Sequence, residues 1–187
     1  MIDKIFKAYD VRAIYPNPLN EDAAWKVGHA SAQFLKRSQA NSGVKKPDTM
    51  VVGHDMRPSS PPLVKALIDG IRSTGMNVID VGMIDTSFIY FAINHLDAVG
   101  GIQVTASHNP IQYNGFKSSG PKAKPIGSAS GLDDIKRIAA NLKAGGQPTG
   151  VQGKLESMDL WADYKKEVLK HLQLKRPLKV SIDASNG

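Results

Sequence analysis

No cysteine occurs in the chain. Disulfides, thiolate nucleophiles and cysteine-ligated zinc or iron–sulfur centres are thereby excluded, and any catalysis must run on oxygen and nitrogen groups. Long hydrophobic runs are missing too. No apolar stretch approaches the roughly 20 residues of a membrane span, and the opening MIDKIFKAYD lacks the apolar core of a secretory signal. A cytoplasmic protein with no membrane partner is the expectation. Aromatic residues make up only 6% of the chain, and basic residues nowhere form a dense stripe. The 24 Lys and Arg against 17 Asp and Glu give a formal charge of +7, which alone would invite nucleic acid or an anionic substrate. Those bases come as scattered pairs, however: Lys45 with Lys46, Lys165 with Lys166, Lys175 with Arg176. A solvated lysine surface accounts for them, and nucleic acid is not an expected partner.

What is present is a regular alternation. The stretch NEDAAWKVGHASAQFLKR offers Asn20 as N-cap and an apolar helical face at Trp25, Gly28, Ala32 and Leu35. TMVVG reads as a short buried strand. SSPPLVKALIDGIRSTG has Ser60 as cap, Pro61 at the first helical position, a stripe of Leu63, Leu67, Ile71 and Thr74, and Gly75 as terminator. MNVIDVG is again a strand, TSFIYFAINHL a helix capped by Thr86 with Ile89, Ile93 and Leu96 on one face, and GGIQVT a further strand. Short apolar strands taking turns with helices of three or four turns define an α/β domain of three layers, whose sheet is mixed but mostly parallel. Ligands of such sheets bind beyond the carboxyl ends of strands, where GHDMRP follows Val52 and another polar loop follows Val104.

After Lys117 the small, Gly- and Pro-rich run SSGPKAKPIGSASG precedes a helix candidate, LDDIKRIAANLKAGG, and GGQPTGVQGK reads as a linker. Beyond it MDLWADYKKEVLKHLQL places Trp161, Tyr164, Val168 and Leu172 on one helical face, and PLKVSID reads as a strand. The division expected is a first domain over residues 1–154 and, over 155–187, a linker helix with the first strand of a second α/β domain. The closing ASNG falls where a turn would hand over to a helix, so a truncated chain is the expectation. The oligomeric state is not legible.

The loop after Val104 carries the chemistry. IQVTASHNPIQYNGFK sets Ser107 and His108 at the tip of a strand and follows them with Asn109-Pro110. A serine-hydrolase elbow would read G-x-S-x-G, and that frame is absent. Adjacent side chains in an extended loop diverge, which argues against His108 acting directly as base for Ser107. A phosphoryl carrier suits the pattern better: an exposed serine can hold a phosphate whose charge is met by Arg or Lys, backbone N–H groups and a divalent metal. Arg12 and Lys117 are candidates for that charge and His108 for proton transfer. The same residues also make a satisfactory turn, and both readings stand on the residues alone.

VTASHNPIQYNGFK closely resembles the phosphoserine loop of the α-D-phosphohexomutases, in particular the bacterial phosphomannomutase/phosphoglucomutase group. The likeness extends along nearly the whole chain. FKAYDVRAIYP resembles the family's amino-terminal Y-D-I-R-G segment, VVGHDMRPSS its V-V-G-R-D-x-R strand and loop, and PLKVSIDASNG the opening strand of its second domain. TASHNP followed by YNGFK is nearer the mannose/glucose branch than phosphoglucosamine mutase. The resemblance implies a four-domain enzyme that interconverts hexose 1- and 6-phosphates through a hexose 1,6-bisphosphate. It implies Ser107 as the phosphoserine and, through its phosphoryl oxygen, one ligand of Mg²⁺; His108 and Lys117 in proton transfer or its support; and Arg12 in orientation and charge. No organic cofactor is implied.

Each residue also has a structural reading. Arg12 can pair with Asp10, Lys117 can be a surface lysine, Asn109 and Pro110 shape the loop, Asn114-Gly115 forms a turn, and His29, His95 and His171 are structural. Two positions depart from the family: Ala13 stands where glycine is common, which would restrict a positive φ, and His54 stands where arginine is usual before Asp55. The family's Asp-rich metal loop, sugar-discriminating loop and phosphate-gripping loop would all lie beyond Gly187. The fragment alone is therefore expected to be inactive. The alternatives are a stand-alone sugar-phosphate-binding or regulatory module and, more remotely, a basic nucleic-acid-binding domain.

Overall fold

The computed structural model describes residues 2–43, 47–143 and 150–183. Lys45 and Lys46, the start of the linker read at 145–154, and the terminal ASNG lie outside the described residues. The elements in chain order are β1 (Val11–Ile14), α1 (Glu21–Ser42), β2 (Thr49–His54), α2 (Ser60–Arg72), β3 (Asn77–Met83) and α3 (Thr86–His95). There follow β4 (Gly100–Val104), β5 (Tyr113–Ser119), α4 (Leu132–Ala140), β6 (Leu155–Ser157) and α5 (Trp161–Leu169). The strands form one mixed sheet in the order β1, β5, β4, β2, β3, β6. β2 runs parallel to β3 and β4, and β3 to β6, while β5 is antiparallel to both β4 and β1.

Strand alternation sorts the side chains into two cores. Met50, Val52, Ile102, Val104 and Phe116 face α1, α2 and α4; Val51 faces α3 and Leu160 on the other side. The sheet is thus the middle of the three layers read from the sequence. Backbone fit decides how close α1 and α2 lie. A Cβ on Gly28 would stand 2.2 Å from the Leu67 carbonyl oxygen, and one on Gly70 would stand 2.1 Å from that of Trp25. The two helices touch backbone to backbone at both points.

Helix starts follow capping chemistry, with two corrections. Asn20 caps α1 as expected, accepting from the Ala23 N–H at 3.0 Å. Ser59, not Ser60, precedes α2, because the Ser60 hydroxyl donates instead to Asp55 Oδ1 at 2.7 Å. Asp85, not Thr86, caps α3 and accepts from the Phe88 N–H at 2.8 Å; its carboxylate also suits the positive end of the helix.

Other expectations need correction. Asn114-Gly115 is not a turn: both lie inside β5, opposite Ala13 and Arg12 of β1. A Cβ on Gly115 would come within 2.1 Å of the Val11 carbonyl oxygen, so close strand approach, not turn geometry, requires this glycine. PLKVSID forms no strand in its described residues, which are all exposed; no described strand pairs with it, and a lone extended segment leaves its backbone groups to water. On α5, Trp161 and Tyr164 pack on Phe88 with ring centroids 4.8 Å away in each case, but Val168 is half exposed and Leu172 lies past the helix end. Residues 155–157, read as the start of the second part, add β6 to the first sheet.

The structural reading of His29 finds direct support in its contacts. Ser73 donates its hydroxyl proton to the Gly70 carbonyl at 2.6 Å, so the His29 Nδ1–H donates to Ser73 Oγ at 2.7 Å and Nε2 accepts from Gln33 at 2.7 Å. The neutral ring is satisfied, Trp25 stacks on it, and burial holds its pKa below the usual 6.5. The folded state then binds fewer protons than the unfolded one. The stabilisation is complete above pH 6.5 and is lost as pH falls through it toward the lower folded value. Urea midpoints should therefore drop between pH 7.5 and 5.5 by less in His29→Gln than in the wild type; equal drops would contradict this. Gly70→Ala gains about 1 kcal/mol of helix propensity but should lower stability by about 1–3 kcal/mol net, because the methyl meets backbone. A urea midpoint at or above the wild-type value would contradict the close helix contact.

Candidate active site

β2 and β4 run parallel and end side by side, which brings the loop after His54 against the loop after Val104. The Asp55 N–H donates to the Val104 carbonyl at 3.0 Å and locks the two strand ends together. The Asp55 carboxylate then accepts from four donors. Oδ1 takes the Arg57 N–H at 3.1 Å and the Ser60 hydroxyl at 2.7 Å; Oδ2 takes Arg57 Nε at 3.0 Å and the Thr105 hydroxyl at 2.7 Å.

Arg57 is buried and donates to five acceptors. Besides Asp55, Nη1 donates to the carbonyls of Pro110 at 2.7 Å and Tyr113 at 3.1 Å, and Nη2 to those of Ser107 at 2.8 Å and Asn109 at 2.7 Å. Every N–H of a guanidinium is used. Around this centre the chain turns sharply. Ser107 is exposed and left-handed, with φ 56°, and its N–H donates to the Thr105 hydroxyl at 2.9 Å. Beneath the loop, Asn114 donates its buried amide to the hydroxyls of Ser59 and Ser60.

The left-handed turn changes one expectation. His108 Nδ1 lies 3.4 Å from Ser107 Oγ, so the two side chains converge where an extended loop would have spread them. The contact is long and exposed, and as a hydrogen bond it is weak. Arg12 has both of its read roles within reach: it pairs with Asp10 and donates from Nη1 to Asn109 Oδ1 at 2.5 Å, joining β1 to the serine loop. Its register opposite Gly115 puts it on the same sheet face as Lys117, two residues along β5.

Arg12 and Lys117 meet in a cavity of about 540 Å³, together with Lys7, Tyr9, Asp10 and Tyr90. Three cations face one carboxylate there, and that carboxylate is already paired with Arg12, so the cavity favours an anion. Ser107 and His108 do not line it; they stand beside it, tied to it through Asn109 and Arg12. The four residues read from the sequence thus fall into two adjoining groups, a displayed hydroxyl with its imidazole and a basic cavity.

Both departures from the family pattern can be located. Ala13 lies in β1 with no positive φ, so alanine is not restricted there. His54 Nδ1–H donates to the Asp55 carbonyl at 2.7 Å, a contact beside the loop's anchor. His95 stacks on Phe91, and His171 is exposed near the end of α5. Among the described residues no group of three or more His, Asp or Glu side chains could hold a metal ion. Asp55, bonded to Thr105 at the base of the serine loop, has both oxygens committed.

Sequence reading passed over Asp55, Arg57 and Thr105. The available signal was an aspartate and an arginine two residues apart just past a strand, in the loop GHDMRP already marked as lying at a carboxyl end.

Fold and loop together define an α/β domain that displays one serine at the carboxyl end of its sheet beside a basic cavity. The chain belongs to the phosphoglucomutase/phosphomannomutase family: residues 3–145 match the family's "Phosphoglucomutase/phosphomannomutase, alpha/beta/alpha domain I". It is 40% identical over 183 residues to a protein named "Phosphohexose mutases" from Xanthomonas campestris pv. campestris, covering 97% of this chain and 38% of the relative. A phosphomannomutase of Escherichia coli strain K12 is 39% identical over 184 residues, again with 97% and 38% covered. A phosphoglucomutase/phosphomannomutase family structure from Burkholderia thailandensis superposes with a TM-score of 0.81 at 35% identity, covering 98% of this chain and 39% of that one. The chain thus spans less than two fifths of the length of each of these relatives.

Proposed function

We propose that this chain is the phosphoserine-bearing first domain, residues 1–154 with the start of a second over 155–187, of a cytoplasmic phosphohexomutase acting on mannose or glucose phosphates. The carrying observation is the display of Ser107: exposed, left-handed, with its N–H and carbonyl both engaged inward by Thr105 and Arg57. Only the hydroxyl is left to work.

In this reading a phosphoryl group leaves Ser107 Oγ for a free hydroxyl of the bound hexose phosphate, giving the hexose 1,6-bisphosphate. The sugar hydroxyl's proton passes to a base, for which His108 and Lys117 are the candidates of this chain. The phosphoryl group at the other end of the sugar then returns to Ser107 Oγ and the proton held by the base passes to the sugar oxygen it leaves, which regenerates the carrier and the base and releases the isomeric monophosphate. Arg12 orients the loop through Asn109 and, with Lys117 and Lys7, supplies positive charge to hold a sugar phosphate in the adjoining cavity.

Mg²⁺ is the metal this reading calls for, and when bound it would neutralise charge on the transferring phosphoryl group. The described residues do not make its site by themselves: a Ser107 phosphoryl oxygen is one ligand, and the Asp55 oxygens are taken. Binding of Mg²⁺ to the 187-residue chain should be in the millimolar range or weaker by calorimetry, since the ion needs several oxygen ligands at once. Micromolar binding would refute this.

Three outcomes test the function. The reading frame past Gly187 should continue into an Asp-rich metal loop and further α/β domains; a stop codon there would favour a sugar-phosphate-binding module instead. The 187-residue chain alone should not turn over glucose 1-phosphate or mannose 1-phosphate. In the full-length product, Ser107→Ala should abolish transfer with circular dichroism unchanged, and a near-normal rate would exclude the carrier role.

A further inference from the structure

We propose that Arg57 is a positioning residue for the Ser107 hydroxyl: its guanidinium, held by Asp55, gathers four loop carbonyls and so sets the shape of the serine loop before any sugar arrives. The inference rests on Ser107 being the phosphoryl carrier, but the geometry that carries it does not.

Serine is an unfavourable residue for a left-handed backbone, and the loop has no glycine among residues 105–113 to relieve it. Something must hold the turn. The carbonyls of Ser107, Asn109, Pro110 and Tyr113 all converge on the two terminal nitrogens of Arg57. One planar cation therefore fixes the direction of four peptide groups across seven residues. Asp55 completes the device from the other side. The Thr105 hydroxyl gives its only proton to Asp55 Oδ2, which turns an oxygen lone pair to accept the Ser107 N–H. The carboxylate thus sets the hydroxyl, and the hydroxyl sets the Ser107 amide.

Two functional consequences follow. Ser107 Oγ is presented to solvent by a backbone that has no local freedom to turn it inward, so the reacting atom need not be ordered when substrate binds. The four carbonyl oxygens, whose negative ends would repel a phosphate, are drawn to one side and bound to a cation. Lysine could not replace Arg57, because an ammonium offers three donors where five acceptors converge.

The test is amide hydrogen exchange, by NMR, on the 187-residue chain. In Arg57→Lys the Ser107, Asn109 and Tyr113 amides should exchange about tenfold faster or more, as the loss of two or more hydrogen bonds implies, while amides of β2 and β4 keep their protection. Unchanged loop protection would overturn the proposal. So would loop and core amides speeding up by one common factor, which is what a merely stabilising arginine would give. Should Arg57→Lys not fold, Thr105→Val removes the hydroxyl between Asp55 and Ser107 with little change of shape. It should free the Ser107 amide selectively, with Thr105→Ser restoring protection; failure of that rescue would overturn the linkage. Exchange reads loop order, not phosphorylation. An unphosphorylated Ser107 on a protected loop would refute the function and leave the device, and the converse result would do the reverse.

Discussion

A guanidinium carries five N–H donors in one plane, and at Arg57 each meets an acceptor. Burying such a charge without partners would be costly, and burying four carbonyls without donors would be costly too. Each requirement answers the other. The loop that displays Ser107 is held in shape by these bonds to Arg57, and the neighbouring strands supply the frame. β2 delivers Asp55 and Arg57, β4 delivers Thr105 and Ser107, and the bond from the Asp55 N–H to the Val104 carbonyl keeps the two strand ends in step.

The sheet's topology explains the rest of the site. α3 covers the β2 and β4 part of one sheet face and leaves the β5 and β1 part open. Arg12 and Lys117 project into that open half from antiparallel strands in fixed register, with Gly115 between them allowing the strands to approach. A basic cavity next to a displayed hydroxyl is the arrangement on which the proposed handling of a sugar phosphate rests. The hydrogen bond from Arg12 to Asn109 of the serine loop couples the two parts.

Much of the fold was legible because it rests on local rules. Sequence pattern located eight of the eleven described elements, missing β1, β5 and β6, and Asn20 and the Pro61 helix start obeyed capping chemistry. The failures have a common cause in tertiary demand. Ser60 and Asn114 were given local roles as cap and turn, yet their polar groups are claimed by Asp55 and by the α2 entry. Gly115 was read for backbone freedom when it is required for strand approach. PLKVSID has a strand's pattern and no described strand beside it. At the site, the chemistry-bearing serine, histidine, arginine and lysine were readable from type and motif, whereas Arg57, though present in the quoted VVGHDMRPSS, was given no role. Its role depends on carbonyls about 50 residues away, which composition and spacing do not reveal.

Mapping the phosphoryl group is the most direct measurement of the central claim. The full-length protein, exposed to glucose 1,6-bisphosphate and then digested, should carry one phosphoryl group, on the peptide containing Ser107, and should lose it on incubation with glucose 1-phosphate. A phosphoryl group on another residue, or none under these conditions, would contradict the account.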